Sequence, residues 1–357
     1  MTWSVGTHNT LCDVAGITVG HADDPAICSG ATVVLLPPGT RAAVDVRGGG
    51  PGTRETDALG PLGSVDEIHG LVLAGGSAFG LAAAGPVQDA LAARGIGYRV
   101  GEATVPIVPA AILFDLLNGP AKPPHLSHVY ADLGAAAFAA VSGQCAVGSV
   151  GAGMGAQTAL YRGGLGAASA QDRQTGVTVA ALAVVNPFGC VTVPGTPHFL
   201  AAHYEQIFAG QPEFGGAGGW QGPPGTYPEA VTRFSRPAVT PTPDSPLPSN
   251  TTLVVVATNL AVDRAALGRI AAMAHTGMGR AIAPVHSPHD GDLVFALSTG
   301  EIDPAGPMSS AQPGALAGVG DCAAQVTARA IARGVYMAAP APAGIDLPSY
   351  RSRWGSG

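Results

Sequence analysis

The sequence predicts a mixed α and β fold, and three observations carry that expectation. Short β-branched runs recur between Gly, Pro and Asn, as strands bounded by turns require. Two later stretches place apolar residues at helical spacing. Of 357 residues, 46% are hydrophobic, enough for a sizeable core in one large or two ordinary domains. Gly (52) and Pro (31) are abundant and only 11% of residues are charged, which favours tight turns and close backbone packing over long surface helices.

In chain order the strand signals are Ala31 to Leu36 (ATVVLL), Leu71 to Ala74 (LVLA), Val177 to Val185 (VTVAALAVV) and Leu253 to Ala257 (LVVVA). Asp263 is a natural N-cap for a helix that puts Leu267, Ile270, Ala271, Ala274 and Met278 on one face. A second helix is expected through Cys322 to Arg333, stopping at Gly334. From Gln206 to Ser249 the pattern lapses into GGAGGW, GPPG and five prolines between Pro237 and Pro248, which reads as an irregular, solvent-facing segment. That is the best internal boundary in the chain. At its end, PLPSNTTLVVVATN (Pro246 to Asn259) passes directly from proline-stiffened loop to buried strand.

Composition narrows the function classes. The net charge is -7, and the 17 cationic residues are all Arg except Lys122, scattered singly, so nucleic acid is not an expected partner. Five dispersed cysteines, Cys12, Cys28, Cys145, Cys190 and Cys322, fit neither a disulfide framework nor a zinc pattern and read as reduced core thiols. The start, MTWSVGTHNTLCDV, lacks a basic region followed by an apolar run, so no signal peptide and a cytoplasmic setting are expected. The longest nearly uncharged stretches, Gly134 to Leu160 and Gly176 to His198, are broken by glycines, prolines and Asn186. A spanning helix needs about 20 consistently apolar residues, so no membrane segment is expected.

Three motifs invite chemical readings. Leu71 to Leu81 (LVLAGGSAFGL) is a strand, a Gly-Gly turn and a helix start. As a nucleophile elbow around Ser77 it has its closing glycine, Gly80, one place late, and as a phosphate loop it lacks the lysine. A tight turn is the default for it, as close backbone packing is for GSVGAGMG (Gly148 to Gly155). The third, HSPHDGD (His286 to Asp292), crowds two histidines and two aspartates into seven positions. A metal site is conceivable there, but the histidines lie three apart across a proline without a further ligand pattern. A turn presenting Asp290 and Asp292 to something cationic is the sharper alternative, and no metal or cofactor is expected.

Beside that turn, the chain resembles the L-aminopeptidase/D-esterase family, which includes β-peptidyl aminopeptidases and the nylon-oligomer (6-aminohexanoate oligomer) hydrolase. The resemblance runs through ordered blocks over nearly the whole chain: VDVRGGGPGTRETD (Val44 to Asp57), LVLAGGSAFGL, VPIVPAAILFD (Val105 to Asp115), VGAGMG (Val150 to Gly155), RGGLGAAS (Arg162 to Ser169), NTTLVVVATN (Asn250 to Asn259) and PVHSPHDGDLVFALSTG (Pro284 to Gly300). It implies a four-layer αββα sandwich of the N-terminal nucleophile hydrolase type, assembled as a homotetramer. It also implies a precursor that cuts itself before a Ser or Thr, here at Asn250-Thr251, into fragments 1–250 and 251–357 that form one globular domain. The substrate would be a short peptide or an ω-amino-acid oligomer. The alternatives are an aminopeptidase or D-esterase, a conventional Ser77 hydrolase, and an inactive binder of a small ligand.

The resemblance also assigns roles. Thr251 would be the nucleophile, and Asp290 and Asp292 match the acidic pair of the nylon-hydrolase branch. Asn186 matches an Asn that contacts the nucleophile or the oxyanion, a task suited to an amide donor. Arg162 stands where relatives carry Lys, keeping the charge but unable to lose a proton readily. Phe114 stands where some members have Tyr, so a hydroxyl is missing from the substrate pocket. The chemistry is coherent: once its own α-amine is freed, with an ordinary pKa of about 8, a threonine supplies both nucleophile and base near neutral pH.

Overall fold

The computed structural model describes residues 2–222, 231–235, 250–303, 308–309, 311–342 and 345–355. In chain order the first strands are β1 (Trp3–Val5), β2 (Thr18–Asp24), β3 (Ser29–Leu35), β4 (Arg41–Val46), β5 (Thr53–Arg54) and β6 (Gly70–Ala74). Next come β7 (Tyr98–Val100), β8 (Ala103–Val105), β9 (Ala110–Ile112), β10 (Gly164–Asp172) and β11 (Thr178–Asn186). The last are β12 (Ile207–Phe208), β13 (Gln211–Pro212), β14 (Thr251–Leu260) and β15 (Leu293–Ile302). The helices are α1 (Ala84–Ala93), α2 (Leu126–Ala139), α3 (Arg264–Ala281), α4 (Pro313–Tyr336) and α5 (Tyr350–Trp354).

Two sheets dominate, one ordered β1-β10-β11-β14-β15-β4 and one ordered β2-β3-β6-β9-β5. Their strands alternate with period two, yet both faces are buried, so each face feeds a different core. Leu253, Val255 and Ala257 of β14 join Leu182 and Val184 of β11, and meet Leu71 and Leu73 of β6 between the sheets. Val254 and Val256 face the other way, onto Leu267, Ile270 and Ala274 of α3 and Val326 and Ile331 of α4. Val33, Val72 and Ala110 of the second sheet pack on Val87 and Leu91 of α1 and Tyr130 and Ala137 of α2. Three apolar layers between four structural layers make the expected αββα sandwich. At about 1.5–3 kcal/mol for each large aliphatic side chain removed from water, the doubly buried strands account for much of its stability.

The four expected strands and the Asp263 cap are present, the Asp263 carboxylate accepting the Ala266 N–H at 2.7 Å. The second helix differs from expectation at both ends: it starts at Pro313 and continues through Gly334 to Tyr336. Gly334 does not stop it but lets it touch the sheet, since a Cβ there would lie 3.0 Å from Gly166 N and 3.1 Å from Gly164 O. The cysteines are all free thiols, Cys28, Cys190 and Cys322 buried and Cys12 and Cys145 half-buried. No described helix is long and apolar enough to cross a membrane.

The Gln206 to Ser249 stretch also needs correction where it is described; residues 223–230 and 236–249 lie outside the described residues. Phe214 is buried against Phe199, and buried Glu213 takes a two-pronged bond from Arg329 of α4, at 2.6 and 2.8 Å. Burial opposes the Glu213 charge, but the Arg329 bonds outweigh it and hold the carboxyl below its ordinary range. A depressed carboxyl contributes stability at neutral pH that is lost as pH falls through the folded-state value. Glu213→Ala would strand the buried Arg329 charge, and a loss of about 3–5 kcal/mol in denaturant unfolding at neutral pH is the expected result.

Candidate active site

Residues 250 and 251 lead directly into β14, and the sheet register sets what surrounds them. Thr251 is paired with Asn186 across the antiparallel β11–β14 ladder, while Asn250 bridges to Asp290 in parallel fashion. The Asn250 N–H donates to the His289 carbonyl at 2.8 Å, and the Asn250 carbonyl accepts the Gly291 N–H at 2.7 Å. The Thr251 hydroxyl rests on that same Asn250 carbonyl oxygen. Asn250, Thr251, Asn186, Asp290 and Asp292 are all buried, so this polar cluster is shielded from water, which strengthens its electrostatics.

The Asp-Gly-Asp turn is clamped by the glycine loop after β4. Arg47 and Gly48 donate backbone N–H groups to the Asp292 carbonyl at 2.9 and 3.0 Å, and Gly50 donates to the Asp290 carbonyl at 2.8 Å. The Asp290 carboxyl accepts from the Phe188 N–H at 2.9 Å and from the Ser287 N–H and hydroxyl at 3.0 and 2.6 Å. Burial pushes its pKa up, and the neighbouring Asp292 charge adds to the shift. Asp292 uses one oxygen for the Thr252 N–H at 2.7 Å and the other for the His286 N–H and Nδ1, at 3.1 and 2.9 Å. Asp292 thus holds the residue after Thr251 through its carboxyl, whereas Asp290 meets the residue before it through the backbone of the turn.

Asn186 has its amide orientation dictated by unambiguous partners. Its Oδ1 accepts the Gln157 N–H at 3.0 Å and the Arg233 guanidinium at 2.6 Å, and its Nδ2 donates to the Phe114 carbonyl at 3.0 Å. Asn118 bridges Asn186 Oδ1, at 3.3 Å, to the Gly155 carbonyl, at 3.0 Å. Phe114 therefore enters the site through its backbone. Arg162 is fully buried, its guanidinium 2.5 Å from the Met154 carbonyl and 3.8 Å from Cys28 Sγ. It reaches the cluster through this Met154–Gly155 segment and through its backbone bridge to Gln157, whose N–H is bonded to Asn186, and among the described residues its Nε has no hydrogen-bond partner.

Two sequence readings find no assembled site. Ser77 sits at the start of a turn with φ of 53°, and no histidine hydrogen bond among the described residues reaches it. In HSPHDGD, His286 turns to Asp292, whereas the His289 ring stacks against Phe188 and Phe234 at 5.1 and 5.3 Å. Among the described residues no group of three or more His, Cys, Asp or Glu could hold a metal. Sequence reasoning missed Arg233 and the Gly291 N–H. Arg233 also bonds the Pro187 carbonyl at 3.2 Å and the Gln157 carbonyl, anchoring part of the irregular segment on the site. Nothing in its proline- and glycine-rich surroundings signals that role, and a backbone donor leaves no side-chain motif.

The sandwich is a variant of the N-terminal nucleophile hydrolase fold. It superposes on the L-aminopeptidase D-Ala-esterase/amidase of Ochrobactrum anthropi with a TM-score of 0.66 at 20% identity, covering 100% of this chain and 97% of that one. A Burkholderia β-aminopeptidase matches with a TM-score of 0.65 at 20% identity, over 98% of this chain and 92% of its own. Residues 9–345 match the model of peptidase family S58, and the chain belongs to that family. An uncharacterized aminopeptidase of Mycobacterium tuberculosis is 43% identical over 358 residues, covering 96% of this chain and 97% of its own length. A 6-aminohexanoate-oligomer endohydrolase of Kocuria is 33% identical over 315 residues, 86% of this chain and 80% of its own length. The protein is a hydrolase acting on amide bonds.

Proposed function

We propose that the chain cuts itself between Asn250 and Thr251, and that the freed Thr251 hydrolyses short amides carrying a free amino end. The observation that carries this is the Asn250 carbonyl, which receives the Gly291 N–H at 2.7 Å and lies against the Thr251 hydroxyl. A donor at that distance meets the geometric requirement for stabilising charge on a carbonyl oxygen under attack. The hydroxyl oxygen bonds to the Asn250 carbonyl carbon, the C–N bond breaks, and the nitrogen takes up a proton to become the Thr251 amine. Water then hydrolyses the ester, leaving an Asn250 carboxylate. In turnover the new amine takes the hydroxyl proton as Thr251 attacks a substrate carbonyl and returns it to the leaving amine, and water then hydrolyses the acyl-Thr251 ester, releasing the acid and restoring the hydroxyl.

Around this pair, Asp292 fixes the start of β14 and Asp290 supplies a second carboxyl beside it. Asn186 lies across the ladder from Thr251 as an amide donor, suited to an oxyanion. Arg162 keeps a positive charge in the buried wall one segment away, with Phe114 beside Asn186 at the substrate pocket. The two pieces stay together because β14 and β15 lie inside the large sheet, between β11 and β4. A homotetramer of cleaved protomers in the cytoplasm completes the proposal, and light scattering on the purified protein tests the assembly.

Denaturing electrophoresis should resolve fragments of 250 and 107 residues from the 357-residue chain, the smaller beginning Thr-Thr-Leu-Val. A single full-length band that still hydrolyses amides would sink the mechanism. Substrate class is read from rates on a free-amine 6-aminohexanoate oligomer, its N-acetylated form and a β-alanyl or D-alanyl anilide. The Asp-Gly-Asp turn favours the free oligomer; preference for the anilide with neither oligomer cleaved would make the enzyme an aminopeptidase, as its 43% identical relative is named.

A further inference from the structure

Beyond Asp292 the structure holds a file of titratable groups that the mechanism does not use. His286 Nδ1 lies 2.9 Å from Asp292 Oδ2, and His286 Nε2 lies 3.2 Å from His275 Nδ1 on α3. His275 Nε2 lies 3.0 Å from the Asp45 carbonyl and 3.2 Å from Asp45 Oδ1 at the end of β4. The His275 side chain is 0% exposed and Asp292 1%, while His286 and Asp45 are 20% and 28% exposed. The backbone at His286 adopts φ of 54°, an uncommon conformation for a residue with a side chain, and in it both the N–H and the ring reach Asp292.

The protons on this file can be counted. Asp292 Oδ2 already accepts the His286 N–H at 3.1 Å, and the Asp45 carbonyl that faces His275 Nε2 has no hydrogen to give, so both act as acceptors toward the rings. The ring nitrogen facing each of them must then carry a hydrogen, because two acceptors cannot bond. The two inner nitrogens face each other and need one hydrogen between them. Three hydrogens on two imidazoles leave one ring as an imidazolium. Burial, joined by the charge on His286, pushes His275 down to about 4, and His286 is the ring whose Nδ1 lies against the Asp292 carboxyl, at 2.9 Å. The charged and titratable groups around the pair are Asp292, Asp45 and Arg47, with Asp290 behind Asp292.

We propose that His275 and His286 are positioning residues that share one extra proton between Asp292 and Asp45, and so keep Asp292 ionised and oriented beneath the start of β14. The proposal rests on Thr251 being the nucleophile. The imidazolium compensates one of two adjacent buried carboxyls, which otherwise could not both remain charged. Asp292 then holds the Thr252 N–H and, with it, the position of Thr251.

The test combines nitrogen-15 NMR of the histidine rings with pH profiles of His275→Gln and His275→Leu. Near neutral pH the wild-type pair should show three protonated ring nitrogens of its four; two would overturn the proposal. Glutamine can accept from His286 and donate to Asp45, so it should hold kcat near wild type. Leucine removes the acceptor, destabilises the imidazolium, and should lower kcat about tenfold or more with KM little changed. Because the protonated form is the competent one, its alkaline limb should move to lower pH. A folded His275→Leu enzyme with a wild-type profile would also overturn the proposal. If leucine unfolds the chain, the proton count on the wild type still decides. Failure of the nucleophile assignment looks different: Thr251→Ala would retain turnover while the proton count stayed at three.

Discussion

Thr251→Ala is expected to remain a single chain and to lose amide hydrolysis by a factor of at least about 10⁴, the scale on which nucleophile removal acts in covalent hydrolases. The fold should survive, because the lost hydroxyl has the Asn250 carbonyl as its partner, and that oxygen keeps the Gly291 N–H. A neutral hydrogen bond of this kind contributes about 1 kcal/mol, small against the apolar burial along β14. Thr251→Ser is the matched control, since it keeps the hydroxyl and should both split and turn over. The measurements are denaturing electrophoresis after prolonged incubation and initial rates on a free-amine amide. Splitting of the alanine variant at Asn250-Thr251 would exclude hydroxyl attack, and turnover by an unsplit alanine variant would exclude Thr251 as nucleophile.

What could be read from the sequence depended on whether the signal was local. The β-branched runs Val177 to Val185 and Leu253 to Ala257 marked the two central strands because each is short and almost wholly apolar, as a strand buried on both faces requires. Asp263 announced α3 because capping is satisfied within one turn. Gly334 misled because glycine signals both an ending and a close approach, and only the position of β10 decides between them. Glu213 and Arg233 escaped notice for a related reason. Each is a charge held by a partner far along the chain, 116 residues away for Glu213 and Arg329, within a segment whose prolines and glycines otherwise describe loop. At the site, the blocks resembling a known family pointed to Thr251, Asn186, Asp290 and Asp292, and the sheet register brings these together. Arg162 was set beside them by the same resemblance; its guanidinium meets Met154 and Cys28, and its backbone bridges to Gln157, whose N–H is bonded to Asn186. The Gly291 N–H and the His275–His286 pair were invisible, the first because it is backbone, the second because a histidine on an apolar helix face has no pattern of its own.

The second large effect is expected at Gly291, and it tests the geometry rather than the identity of the nucleophile. A Cβ at this position would stand 2.6 Å from Thr251 Oγ1 and 2.7 Å from the Gly50 carbonyl oxygen, both inside van der Waals contact. Gly50 cannot yield freely, since its N–H is bonded to Asp290 O at 2.8 Å. In Gly291→Ala, then, either the Thr251 hydroxyl rotates off the Asn250 carbonyl or the turn retreats and takes its N–H away from that oxygen. Displacing a reacting group by about 1 Å costs about 10², and losing an oxyanion donor costs about 10²–10³. Splitting and turnover should both slow by about that factor, while overpacking lowers stability by about 1–3 kcal/mol. The splitting rate constant, followed from freshly made precursor alongside a denaturant melt, separates the two effects. A well-folded Gly291→Ala precursor that splits at the wild-type rate would mean that the turn does not bear on Thr251, and the Gly291 N–H would lose its assigned part in the reaction.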